Sequence, residues 1–136
     1  MSVTHLLDTT IVSALMRSDR AAAEHLLRAD PNDVKVPQPV VAEIRYGLSR
    51  LPPSRRRSML EDRLEVLLQS LERVPWSDEV SRVFGEVKAD LEKRGTRVDD
   101  FDLAIAAHAL VLGATLVTEN TKHFRRVRGL SVESWA

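Results

Sequence analysis

Apolar residues recur at helical spacing along most of the chain, and short apolar or β-branched runs separate these stretches. VTHLL (3–7) leans apolar and stops at Asp8, and in the following TTIVSALMR (9–17) Ile11, Val12, Leu15 and Met16 share one helical face. The pattern predicts strand, acidic turn, helix. A second helix is expected over DRAAAEHLLRA (19–29), with Asp19 as its N-cap and the DPND turn (30–33) closing it. VKVP (34–37) predicts a second strand. PQPVVAEIRYGLSRL (37–51) then predicts a helix with Val40, Ile44, Gly47 and Leu48 facing inward and Glu43 beside that face.

After Pro52 and Pro53, SRRRSMLEDRLEVLLQSLE (54–72) is strongly amphipathic, with Leu60, Leu64, Leu67, Leu68 and Leu71 on one side. ERVPW (72–76) suggests a third short strand. SDEVSRVFGEVKADLEKRG (77–95) carries Ser77 as N-cap, a cationic last turn and a closing Gly95. FDLAIAAHALVLG (101–113) reads as an alanine-rich helix ended by Gly113, and ATLVT (114–118) as a strand. A short helical turn near TKHF (121–124) and an extended GLSVESW (129–135) complete the reading.

Strands alternating with helices place the chain in the α/β class, with a mainly parallel sheet flanked by helices on both faces. Ligands in such sheets collect beyond the carboxyl ends of the strands. Asp8 follows the first strand, Glu119 and Asn120 follow a late one, and Asp102 begins the helix that feeds that late strand.

Composition narrows the chemistry. With 136 residues the chain is expected to be one domain around one core. No apolar run is long enough to span a bilayer, and the first residues lack the features of a secretory signal, so the chain is expected to start near Met1 and to work in the cytoplasm. The absence of cysteine excludes disulfides, thiolate zinc sites and thiol nucleophiles, so any metal is held by oxygen or imidazole. Lys plus Arg (20) balance Asp plus Glu (20), so no global field draws the protein to nucleic acid and only local basic clusters matter.

The stretch RVDDFDLAIAA crowds Asp99, Asp100 and Asp102 against an apolar helix, where carboxylates repel one another unless something compensates. A helix N-terminus is one compensation, and it suits Asp99 and Asp100; Asp8 has the same option as an N-cap. A metal ion is the other. Glu43 is harder to explain as structure, since it interrupts an apolar helix and needs a partner. Acids from three segments converge on one edge of the expected sheet.

Carboxylates without thiols or paired histidines suit a hard cation, Mg²⁺ or Mn²⁺. His5, His25, His108 and His123 lack metal-ligand spacing and read as surface or satisfied core residues. A cation with open positions for phosphate oxygens is equipment for phosphodiester hydrolysis. Lys122, Arg125, Arg126 and Arg128 in KHFRRVR are candidates to hold a polyanionic strand, whereas Arg55, Arg56 and Arg57 read as a solvated helix face.

LLDTTIVSAL, VPQPVVAEIRYGL and GTRVDDFDLAIAAHALVLGATLVTENTKHFRRVRGLSVESW resemble, in order and spacing, the PIN-domain ribonucleases, most closely the VapC toxins of bacterial toxin–antitoxin pairs. The resemblance covers almost the whole chain. It implies a PIN-like α/β/α sandwich, Mg²⁺-dependent RNA cleavage, inhibition by a VapB-like antitoxin seated in a groove near the acids, and a homodimer. By the same resemblance Asp8, Glu43 and Asp102 are the metal and catalytic acids, with Thr10, Asp99, Asp100, Glu119 and Asn120 in support. Arg45, Lys122, Arg125 and Arg126 are candidates for the substrate. Position 10 is Thr where many relatives have Asn, and position 120 is Asn where some carry a fourth acid, so a second metal would be held weakly.

Two other classes compete. One is a silent binding module that retains the PIN scaffold to grip a partner. The other is a receiver-like phospho-acceptor domain, for which VPQP and TEN supply no clear aspartate and lysine. A phosphatase of the haloacid dehalogenase type is disfavoured, because LLDTT lacks the second aspartate two residues after the first.

Overall fold

In the computed structural model, which describes residues 3–135, β1 (His5–Leu7) is the central strand of a five-stranded sheet. On one side lie β2 (Val34–Pro37) and then β3 (Glu72–Val74); on the other lie β4 (Thr115–Val117) and then β5 (Ser131–Glu133), and every pair is parallel. The expected start near Met1 falls outside the described residues. The chain builds outward from β1 in one direction, returns, and builds outward in the other. That reversal opens a crevice beyond the carboxyl ends of β1 and β4, where parallel sheets bind their ligands.

The helices are α1 (Thr9–Met16), α2 (Arg20–Arg28), α3 (Gln38–Arg50), α4 (Arg55–Ser70), α5 (Asp78–Lys93), α6 (Asp100–Leu112) and the four-residue α7 (Thr121–Phe124), with a 3-10 turn at Pro31–Asp33 before β2. They start where local chemistry predicts: the side chains of Asp19, Ser54 and Ser77 accept from the N–H groups of Ala22, Arg57 and Val80. Gly113 closes α6 in the left-handed region at φ 63°, and Ala114 N–H reaches back to the Ala109 carbonyl at 2.9 Å.

The strands are shorter than the apolar runs suggest. VTHLL pairs as a strand over His5–Leu7, although the Thr4 carbonyl still accepts from Thr115 N–H at 2.8 Å. ERVPW ends its ladder at Val74, since Pro75 has no N–H to donate. Leu6, Leu7 and Leu116 are fully buried, each contributing about 1.5–3 kcal/mol relative to exposure. Leu103 through Ala109 of α6 are all buried, as in a helix covered on every side, and the small side chains of Ala104, Ala106, Ala107 and Ala109 let neighbours approach closely.

One inward assignment is wrong. Val40, Ile44 and Leu48 are buried on α3 as predicted, but Gly47 is exposed at the rim of a groove between α1, α3 and α4. A helical step of about 100° carries position 47 to the flank of the stripe that 40, 44 and 48 define.

Candidate active site

Asp8 is the first residue beyond β1, and its N–H donates to the Val117 carbonyl of β4 at 3.0 Å, fixing it at the crevice. It is 3% exposed. Its Oδ1 accepts from Ile11 N–H at 3.1 Å and from the Thr10 hydroxyl at 2.6 Å, so it caps α1 as the structural reading expected. The Thr10 hydroxyl also accepts from Glu119 N–H at 3.0 Å, tying the turn after β1 to the turn after β4. Threonine at position 10 thus serves the turn.

Glu43 projects from α3, and its Oε1 accepts from the Thr9 hydroxyl at 2.5 Å. Asp102 lies in the first turn of α6, where its Oδ2 meets Nε2 of His123 at 2.9 Å. Three side chains from three segments, widely separated in sequence, therefore meet electrostatically. Burial raises the pKa of Asp8, opposed by Thr10, Thr118 and the Ile11 N–H, and Asp102 adds to the rise. Burial also raises Glu43 against its bond to Thr9, with Asp102, Asp99 and Asp8 pushing the same way. Asp102 is raised by burial and by Asp99, and held back by His123 and by the charge of Arg126.

Asp8, Glu43 and Asp102 thus feel one another's charge, and their oxygen-only donor set suits a hard divalent cation. Among the described residues, however, no three acid or imidazole side chains converge closely enough to enclose a metal. Direct closure by all three expected ligands is therefore absent. Mg²⁺ does not require such closure, since it binds through one or two carboxylates and keeps water in its other positions.

The remaining candidates divide. Asp99 caps α6 through the Phe101 N–H at 2.9 Å and adds its charge to the cluster, whereas Asp100 pairs with Lys88 of α5 at 2.9 Å. Glu119 and Asn120 are exposed at the carboxyl edge. Arg45 is paired with Glu65 of α4 at 2.6 Å, not with the cluster, and Arg57 is taken up by Glu61 and the Leu51 carbonyl. Lys122 and Arg125 are exposed on and just after α7, while Arg126 grips His123. Of the four histidines read as surface or satisfied core residues, His123 is bonded through Nε2 to Asp102. Thr9, Thr118 and His123 were missed as well; the only signal for them was adjacency, two threonines beside candidate acids and a histidine inside the basic run.

A PIN domain family model matches residues 5–130. The chain belongs to the PIN domain family. Ribonuclease VapC2 of Rickettsia felis is 34% identical over 133 residues, covering 96% of this chain and 97% of that protein. Ribonuclease VapC2 of Haemophilus influenzae is 34% identical over 134 residues with the same coverage, 96% and 97%. A crystal structure of VapBC2 from Rickettsia felis, bound to a DNA fragment from their promoter, matches with a TM-score of 0.88 at 31% identity, covering 98% of this chain and 99% of that one. The PIN fold disposes of the receiver-like alternative. Asp8 lies at the sheet reversal of this PIN domain, and Glu43 is bonded to the adjacent Thr9.

Proposed function

We propose that this PIN domain is a Mg²⁺-dependent endoribonuclease that acts as the toxin of a VapBC-type pair. The observation that carries the reading is that Asp8 stands at the end of β1 beside β4 and Glu43 bonds the adjacent Thr9, with the charge of Asp102 acting on both acids. Relatives that bear the name ribonuclease VapC across nearly the whole length support the reaction class.

Asp8, Asp102 and Glu43 would hold Mg²⁺, or Mn²⁺ in its place, one or two of them directly and the rest through its water, and would orient the attacking water. When bound, the ion supplies charge for a phosphoryl oxygen and lowers the pKa of water. Asp8 is immobilised by its cap on α1 and by Thr10, and Glu43 by Thr9. Lys122 and Arg125 offer charge to the phosphates of a strand entering over α7.

A VapB-like antitoxin fits the groove between α1, α3 and α4. Met16, Ile44, Leu48 and Leu60 line it, Arg17 and Arg56 stand beside them, and Glu43 and Thr9 form part of its wall. An amphipathic segment with acidic residues seated there would reach the acid cluster. Homodimer formation and residence in the cytoplasm complete the proposal; among the described residues no helix is long and apolar enough to cross a membrane.

The test is Asp8→Asn and Asp102→Asn, with RNA cleavage followed by sequencing of the RNA ends after induced expression. Cleavage is expected to disappear in both variants while the far-UV circular dichroism spectrum is retained. Activity that survives both changes together would refute the proposal. A silent binding module, by contrast, would give neither cleavage nor heat on titration with Mn²⁺ in the wild type.

A further inference from the structure

A chain of bonds runs from the loop after α7 into the acid cluster. Nε2 of His123 lies 2.9 Å from Oδ2 of Asp102. On the other side of the ring, Nδ1 meets Nη2 of Arg126, whose Nε also donates to the His123 carbonyl at 3.1 Å. A guanidinium carries only donors, so Nδ1 is the accepting nitrogen. The ring proton therefore sits on Nε2, and Nε2–H donates to the Asp102 carboxylate. Arg126 selects the tautomer that His123 presents.

The ring has little freedom to leave this arrangement. Phe124, 1% exposed, packs edge-on against it with centroids 5.2 Å apart, and the His123 N–H donates to the Asn120 carbonyl at 3.1 Å. The side chains of His123 and Asp102 are 28% and 31% exposed, so water competes only in part for the bond between them.

We infer that His123 is a positioning residue of the active site: gripped by Arg126 in a single tautomer, it holds Asp102 by Oδ2 and leaves Oδ1 for a divalent cation. The inference rests on the nuclease reading of this site. It gives Arg126 a task other than holding RNA. Outer partners of this kind typically cost about 10–100-fold in metal affinity or activity when removed.

The experiment is calorimetric titration of Mn²⁺ into the purified full chain, for wild type, D102N, H123A, H123Q and R126M, with circular dichroism to confirm folding. H123A is expected to bind Mn²⁺ about 10–100-fold more weakly than wild type. H123Q, whose side-chain amide can donate from a similar position, is expected to lie closer to wild type than to H123A. R126M, which frees the ring to change tautomer, is expected to fall between wild type and H123A. If H123A binds as wild type does while D102N has lost the ion, the inference is overturned and the nuclease reading stands. It is overturned equally if H123Q is as weak as H123A. If wild type itself takes up no Mn²⁺, the reading of the site falls and the inference with it.

Discussion

Oγ1 of Thr9 lies 2.5 Å from Oε1 of Glu43, so the first residue of α1 orients a carboxylate in the middle of α3. This bond favours the ionised glutamate, whereas burial and the charges of Asp102, Asp99 and Asp8 oppose it. Thr9→Val keeps the branched shape and deletes the donor. Glu43 is then expected to take up its proton at higher pH than in wild type, RNA cleavage at neutral pH to fall, and stability to drop by about 1 kcal/mol. Carboxyl carbon shifts in an NMR titration read the first effect; a Glu43 curve unmoved by T9V contradicts the assignment.

Asp8 sets function against stability. Its folded pKa stands above the ordinary 3.8, chiefly through burial. The stability contributed by its protonated form is complete below the unfolded pKa and is lost as pH rises through the folded one. At pH 7 the metal-free protein therefore carries a buried carboxylate that opposes folding. Asp8→Asn keeps an equally good N-cap and removes the charge. Its melting temperature at pH 7 is expected to exceed that of wild type by a few degrees, with the gap closing as the pH is lowered through the carboxyl range. A gap independent of pH would remove the electrostatic explanation.

His108 imposes the opposite pH dependence. It is fully buried in α6, Nδ1–H donates to the Ala104 carbonyl at 2.7 Å, and burial lowers its pKa from the ordinary 6.5. The neutral ring is favoured in the folded state, so its stabilising effect is complete above the unfolded pKa and fades as pH falls through it towards the folded value. The urea midpoint of wild type is expected to decline from pH 7.5 to 5.5, and His108→Leu to flatten that decline. Trp76 stands edge-on to His108 with centroids 5.6 Å apart and gives a local fluorescence probe. An equally steep decline in H108L would point to other groups.

Gly47 separates folding from partner binding. A Cβ there meets no heavy atom within 4 Å, and the residue lies in a helix interior, where glycine costs roughly 1 kcal/mol against good helix formers. Gly47→Gln is therefore expected to raise the melting temperature while placing a side chain in the groove assigned to the antitoxin. Its affinity for a VapB-like partner, measured by surface plasmon resonance, is expected to fall. Tight binding by a stabilised G47Q would move the partner to another face.

Much of the chain is legible because its signals are local. The caps at Asp19 and Ser77 and the glycine stop of α6 depend on residues within one or two turns, which a linear reading contains. The pairs Thr9 with Glu43 and His123 with Asp102 span 34 and 21 residues, and no periodicity encodes them. Arg45 shows the same gap in the other direction, since only the packing of α3 beside α4 gives it to Glu65.

What the sequence by itself determined is the alternation of strands and helices, the carboxyl-end positions of Asp8 and Asp102, and the family, because backbone propensity, capping and motif order are written in neighbouring residues. Tertiary structure alone decided that β1 is central, that the sheet reverses between β1 and β4, and that His123 reaches Asp102. These are consequences of closing long loops around one buried layer, where the partner of a side chain is chosen by packing and not by its place in the chain.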